Sequence, residues 1–394
     1  MLRIHAIDTI RGLCLINIFV GHIGLGVFHQ MSPSGILLID CSDIFVFNAG
    51  VCTSLSYCCR PSLSLRQILY CNWARAAKLY CANVLLIAIS AVILAVSAAI
   101  APPDMLANWP QAIADESGAP RYLWHLISLQ QSIGFSMVLR LYVLLSVVAP
   151  ALIWCSLRRW WLPLVPAALV WAVAGHFALV LPNSLSGEPL SMTMLPWTFV
   201  FAAGTALGAA IVGKVPMPRM PLVDGLAIGL LVGSVLSIAV VAHILPDLQD
   251  WYRTRNDFFW TGGSKTLQSP LRVLSLFALV WVFLRFPHAP VLRLLHEAGP
   301  DALLSRLGRR PLPVFCYGAV FSLLIDQVLR LLIATGRITP TSPPSVLVEA
   351  IGIAAGLAVL RWIALRPKVS AKPRRSSAAD VAMEGSFPSV ALRT

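Results

Sequence analysis

Arg11 and His22 stand eleven residues apart in RGLCLINIFVGH, inside the first long apolar stretch of the chain. A helix turns about 100° per residue, so eleven steps bring both side chains within ~20° of one face. At about 1.5 Å per residue they differ by ~16 Å in depth, roughly half a bilayer core. Asp8, three residues before Arg11, falls near the same face at the membrane edge. Ionisable groups at membrane depth are costly, so they face a protein interior or a wet cavity and mark function by default. An arginine at the rim with a titratable imidazole deeper in suits a site reached through the membrane. The plainer alternative has Arg11 snorkelling beside Asp8 and His22 satisfied by a neighbouring helix.

Other residues could join such a site. Asp40 and Asp43, at i and i+3 before FVFNAG, share one side of the second apolar helix and point toward the same end of the bundle as His22. A carboxylate beside an imidazole fixes its tautomer and raises its basicity, as a general base requires. Capping of free N–H groups is their alternative role. Arg75 and Lys78 close the basic stretch 60–80, expected to be an inner loop leading into a third helix. They could hold the phosphates of an anionic cytosolic ligand, the arginine as a bidentate fork and the lysine as a point charge. Positive-inside anchoring accounts for them equally. Arg140 with Tyr142, and Lys265 with Arg272, are expected at outer helix ends, where they would bind an anionic acyl group or acidic glycan, or reach headgroups. Gly204 and Gly208 read as a close helix-packing pair. No phosphate-binding glycine loop, serine elbow or metalloprotease motif is present.

The elements that must position these residues follow from composition. The chain has 394 residues, of which 58% are hydrophobic and 12% charged, and its mean hydropathy is +0.78. These values describe an all-α polytopic membrane protein, since lipid admits only helices or closed barrels and the apolar runs are too long for barrel strands. Ten spanning helices are expected, near 10–28, 36–56, 78–101, 137–156, 161–181, 195–213, 225–245, 268–286, 311–334 and 345–365. The net charge of +13 gathers in alternate connections, which argues for membrane topology rather than nucleic-acid binding and places both termini in the cytoplasm. The nine cysteines are scattered without metal-ligand spacing or a disulfide framework. The outer stretches 102–136 and 246–267 are long enough to be functional, the first with a short interfacial helix near Arg121–Ser132. Residues 1–366 form the expected transmembrane domain, and 367–394, polar and rich in Pro and Ser, a disordered cytoplasmic tail.

The Arg11-to-His22 spacing resembles the signature of the acyltransferase-3 group of membrane acyltransferases. More closely, AIDTIRGLCLINIF, DIFVFNAGV, ARAAKLY, LRLYVLL, GSKTLQSPLRVLSLFAL and LGRRPLPVFCYG resemble the OpgC family, in order from about residue 3 to 320. That resemblance implies a bacterial inner-membrane enzyme that moves an acyl group from cytosolic acyl-CoA, succinyl-CoA by expectation, to hydroxyls of a periplasmic glucan. It implies His22 as the central catalytic residue and Arg11 as a donor contact, with no tightly bound cofactor and no metal. In that frame Asp43 or Asp40 would orient the ring, and Arg75 and Lys78 would join Arg11 at the donor phosphates. Related enzymes move acetyl groups, so O-acetyl transfer to another surface polysaccharide is an alternative. A flippase or transporter for a glycan intermediate would use the same residues as a proton relay; the lack of matched repeats and broken helix pairs counts against it.

Overall fold

A serine and a glutamine decide where the longest helix begins. In the computed structural model, which describes residues 4–31, 37–59, 63–100, 118–179, 192–237, 244 and 265–366, the Ser64 hydroxyl accepts the Gln67 N–H (3.3 Å). The Gln67 side-chain oxygen accepts the Ser64 N–H in return (2.9 Å). This reciprocal box supplies acceptors for donors that the first helical turn leaves free. With no breaker downstream, the helix runs over Leu65–Ile100, 36 residues. The expected start near 78 is corrected: Arg75 and Lys78 sit one turn apart on the helix, not in a loop before it. Asp40 and Asp43 make a second such box, with Ser42 N–H on Asp40 (2.7 Å) and Asp40 N–H on Asp43 (2.8 Å). It sets the start of the second helix at Cys41, five residues later than expected. Proline, whose fixed φ suits a helix start and whose missing N–H costs nothing there, opens several others.

In chain order the helices are α1 His5–Gly21, α2 Cys41–Cys58, α3 Leu65–Ile100, α4 Ala119–Ile127, α5 Met137–Arg158, α6 Leu164–His176 and α7 Met194–Val212. There follow α8 Pro221–Leu236, α9 Pro270–Arg285, α10 Pro290–His296, α11 Leu303–Gly308, α12 Pro311–Ala334 and α13 Pro343–Leu365. No strand occurs among the described residues, and the protein is all-α. A helix stands at each of the ten expected positions, but among the described residues only α3, α5, α7, α12 and α13 are both long and apolar enough to cross a membrane on those grounds. The shorter α6, 13 residues, rises only ~20 Å against a hydrocarbon core of ~30 Å. The expected helix near Arg121–Ser132 appears as α4. Most of the stretch 246–267 and the whole tail 367–394 lie outside the described residues.

The compact unit comprises residues 1–364. At its centre α2 packs against α7, α1 and α5, while α3 lies on α5 and α12, and α11 lies along α1. Glycine permits the two tightest crossings. A Cβ on Gly204 would overlap the Phe47 carbonyl, and one on Gly50 the Phe201 carbonyl, so α2 and α7 meet backbone to backbone. Gly12 and Gly308 do the same for α1 and α11, against the carbonyls of Leu304 and Asp8. Most of the surface of α5 and α7 is buried, whereas α3 and α13 leave most of theirs exposed. That exposed surface carries Leu85, Val92, Val96, Leu347 and Ile351, an apolar exterior of the kind lipid solvates.

Candidate functional site

The close α1–α11 crossing brings Arg11 against the chain end of α11. Its Nη1 donates to the Gly308 carbonyl (3.2 Å), its Nη2 to the Cys52 thiol on α2, and Asp8 lies 3.7 Å away. From α3, Arg75 donates to the Thr53 hydroxyl (3.3 Å). Arg11, Arg75, Lys78 and Tyr142 together line one cavity of about 360 Å³, with Cys52, Phe45 and Phe315 among its other walls. Three cations thus converge from two helices, and among the described residues no carboxylate lines the space. Tyr142 stands with its ring edge-on to Phe45, 5.6 Å between centroids, and its hydroxyl is buried without a hydrogen-bond partner. Tyr142, expected at an outer helix end to bind an anionic acyl group or acidic glycan or to reach headgroups, instead lines the same cavity as Arg11. Arg140, two residues before it, is 2% exposed and is not among the residues lining that cavity.

A second polar region joins the start of α2 to the start of α9. Arg272 Nη2 lies 2.6 Å from Asp43 Oδ2 and 3.1 Å from Asp40 Oδ2. Its Nε reaches Asp43 Oδ1 (3.2 Å), and its Nη1 donates to the Leu38 carbonyl (3.3 Å). Lys265 Nζ is 2.7 Å from Asp40 Oδ2 and donates to the Ser42 hydroxyl (3.1 Å). Gln268 donates to Asp43 Oδ1 (2.8 Å), so Asp43, 0% exposed, has partners on both oxygens. The segment 265–269 is strapped in place by the indoles of Trp197 and Trp171, which donate to the carbonyls of Lys265 (3.0 Å) and Gln268 (2.7 Å). Gln268 is held at φ +54°, a left-handed backbone that a non-glycine residue keeps only where its surroundings enforce it. Lys265 and Arg272, expected to meet an anionic substrate or headgroups, are instead the counter-charges of Asp40 and Asp43.

His22 follows the last residue of α1 rather than lying within a longer helix. Three glycines at 21, 24 and 26 accompany tight turns in which Ile23 N–H bonds Val20 O (3.1 Å) and Gly26 N–H bonds Ile23 O (3.0 Å). The His22 ring packs on Phe135, 3.9 Å between centroids. Its Nδ1 is buried without a hydrogen bond of good geometry, the Ile18 carbonyl one turn back being its near backbone neighbour. Lys265 and Asp40 act on the ring through their charges, but no hydrogen bond joins it to Asp40 or Asp43 among the described residues. His22 is also not among the residues lining the Arg11 cavity. The eleven-residue spacing therefore separates two polar places along α1: cations at one level, an imidazole just past the helix end at the other.

Three residues escaped the sequence reading. Asp326 and Arg330 form a buried i,i+4 pair on α12, with Nε to Oδ2 at 2.8 Å, and Glu349 on α13 is 1% exposed. Asp326 accepts the N–H of Leu25 (3.2 Å), and Glu349 accepts those of Val27 (2.7 Å) and Phe28 (3.2 Å). Their sequence signal was the presence of charge inside otherwise apolar helices (LLIDQVLR and VLVEAIGIAAG), which membrane depth makes costly.

The elements on which this site is built fall inside one family match. The family described as OpgC protein matches residues 3–368. No curated protein and no solved structure matches the chain. Since that match takes in Arg11, His22, both carboxylates of α2 and every described helix, the chain belongs to the OpgC protein family and is a membrane protein with an acyltransferase-type, glucan succinyltransferase-like role.

Proposed function

We propose that the chain moves an acyl group, succinyl by first expectation, from cytosolic acyl-CoA to a hydroxyl of a periplasmic glucan. The observation that carries this reading is the convergence of Arg11, Arg75 and Lys78 on one cavity with no carboxylate among its described lining residues. Unbalanced positive charge at membrane depth is costly unless an anion completes it. A volume of about 360 Å³ is at the small end for ligand pockets, enough for a phosphate-bearing segment rather than a whole donor. Arginine forks would grip phosphate oxygens bidentately, with Lys78 as a point charge and the Tyr142 hydroxyl as a neutral donor. The thioester end would then extend along α1 toward His22, ~16 Å away by helical rise.

At that end His22 acts as general base. It takes the proton of a glucan hydroxyl while the oxygen attacks the thioester carbonyl carbon. The tetrahedral intermediate collapses with cleavage of the carbon–sulfur bond, and the imidazolium returns its proton to the departing thiolate. The products are an O-acyl ester and free CoA. General-base help of this kind contributes about 10²–10⁴-fold, with the rest left to positioning. Of the cluster at the start of α2, Asp40 and Lys265 act on the ring through their charges rather than as bonded partners. In the same reading ten helices cross the bacterial inner membrane with both termini cytoplasmic, so that Arg75 and Lys78 meet the donor from inside.

Purified protein in lipid nanodiscs, given succinyl-CoA labelled in the acyl group and a periplasmic glucan, tests the reading directly. Label should become covalently attached to glucan, and His22→Ala should remove at least about a hundredfold of that rate at unchanged protein level. Near-normal transfer by His22→Ala would sink the mechanism. Glucan that crosses the membrane without acquiring label would point to transport, and preference for acetyl-CoA would redirect the acyl group.

A further inference from the structure

The segment just after His22 is tied to two neighbouring helices at several consecutive points. On the upstream side the Ser322 hydroxyl of α12, fully buried, donates to the Phe19 carbonyl (2.7 Å). Downstream, His29 Nδ1 donates to the Gly21 carbonyl (2.7 Å), Asp326 takes the Leu25 N–H, and Glu349 takes the Val27 and Phe28 N–H groups, one on each oxygen. A Cβ added to Gly26 would overlap the Glu349 carboxylate, so the turn and the side chain fit without slack. Backbone N–H groups at membrane depth need acceptors, but a neutral acceptor would serve at a lower desolvation cost than a carboxylate. What a carboxylate adds is two strong acceptors in one rigid plane, which pin adjacent amides and hence the direction of the turn.

We propose that Glu349, with Asp326, is a positioning residue that fixes the orientation of the His22 imidazole through the backbone of residues 25–28. The proposal rests on His22 being the base. His22 is held from both sides: Phe135 packs on the ring at 3.9 Å between centroids, and the carboxylates hold the chain that follows it. Asp326 is itself held by Arg330, so the clamp on Leu25 is anchored in α12, while Glu349 anchors the amides of Val27 and Phe28 in α13.

The test uses the full-length protein with succinyl-CoA and a periplasmic glucan, comparing wild type, Glu349→Gln, Gly26→Ala and the double variant Gly26→Ala/Glu349→Asp. Misplacement of a reacting group by about 1 Å costs up to ~10²-fold, so Gly26→Ala should lower kcat ten- to a hundredfold. KM for succinyl-CoA should stay within about twofold, because the Arg11 cavity is untouched. Glu349→Gln, which keeps the volume and one acceptor oxygen, should lower kcat by a smaller factor. The shorter carboxylate of Glu349→Asp makes room for the added methyl group, so the double variant should regain several-fold in kcat over Gly26→Ala. Carbethoxylation of His22 by diethyl pyrocarbonate, followed by mass spectrometry, should speed up several-fold in Gly26→Ala and slow again in the double variant. Normal kcat in both single variants overturns the proposal, and so does a Gly26→Ala defect that Glu349→Asp fails to relieve. Variants that merely disappear from the membrane, with normal kcat in what remains, overturn it too. If His22→Ala is inactive while these variants behave as wild type, positioning alone has failed. If His22→Ala is active, the base reading has failed first.

Discussion

The cluster at the start of α2 and the cavity beside Arg11 both place charge inside a helical bundle, and they balance it differently. In the cluster, two carboxylates (Asp40, Asp43) face two cations (Lys265, Arg272), and every one of these groups has a partner within 3.2 Å. Indoles strap the supporting backbone. In the cavity, three cations share a space whose described lining has no acid, with Asp8 3.7 Å from Arg11 as the adjacent carboxylate. A neutral set bonded to itself has nothing left to offer a ligand, whereas an unbalanced set around open volume has. Charge at membrane depth is thus not one signal but two, and the sum of the local charges separates a joint that holds helices together from a cavity that we propose as the seat for an anion.

The largest effect should come from breaking the balanced side. Arg272→Met leaves Asp43 buried with no cation, a change worth about 3–5 kcal/mol; folded protein recovered from the membrane, and its melting temperature in detergent, should fall sharply. If that variant melts like wild type, the cluster is not a structural joint. A smaller effect, of a different kind, belongs to the cavity. Arg75→Ala and Lys78→Ala should each remove a charge-assisted contact worth about 1.5–3 kcal/mol, raising KM for succinyl-CoA roughly tenfold or more while the melting temperature holds. A fall in stability with unchanged KM would reverse the roles assigned to the two regions. Tyr142→Phe sharpens the contrast at the low end. Its hydroxyl has no partner among the described residues, so stability should move by less than ~0.5 kcal/mol, and only donor affinity should weaken, by a few-fold. A clear loss of stability would mean that the hydroxyl serves the fold.

Much of this architecture is legible in one chain. The ten apolar stretches each hold a helix, and the Gly204/Gly208 spacing marks the α2–α7 contact because small residues alone permit such an approach. The start of α3 was legible too, in Ser64 and Gln67, but hydropathy passes over a capping box written in polar residues before an apolar run. The two acids of α2 show where local reading stops. Their place at a helix start allowed the cap as the alternative to a catalytic role, yet nothing near them in sequence names Arg272 or Gln268, more than two hundred residues away, as the groups that occupy their oxygens. The meeting of Arg11 with Arg75 is likewise a tertiary fact: each sits on a helix whose own pattern explains it. Asp326 and Glu349 stand between these cases, because the sequence exposes their cost in lipid but not the amides that justify it.

One rod carries a piece of both regions. Asp43 stands near the first turn of α2 and Cys52 nine residues on, a rise of ~14 Å, and the glycine contacts that lock α2 onto α7 leave that rod no freedom to slide. In the proposed mechanism this separation acts as a ruler: a donor anchored at the cationic cavity would have to be long enough to bring its reactive carbon to the level of His22, so reach would become a criterion of selection separate from charge.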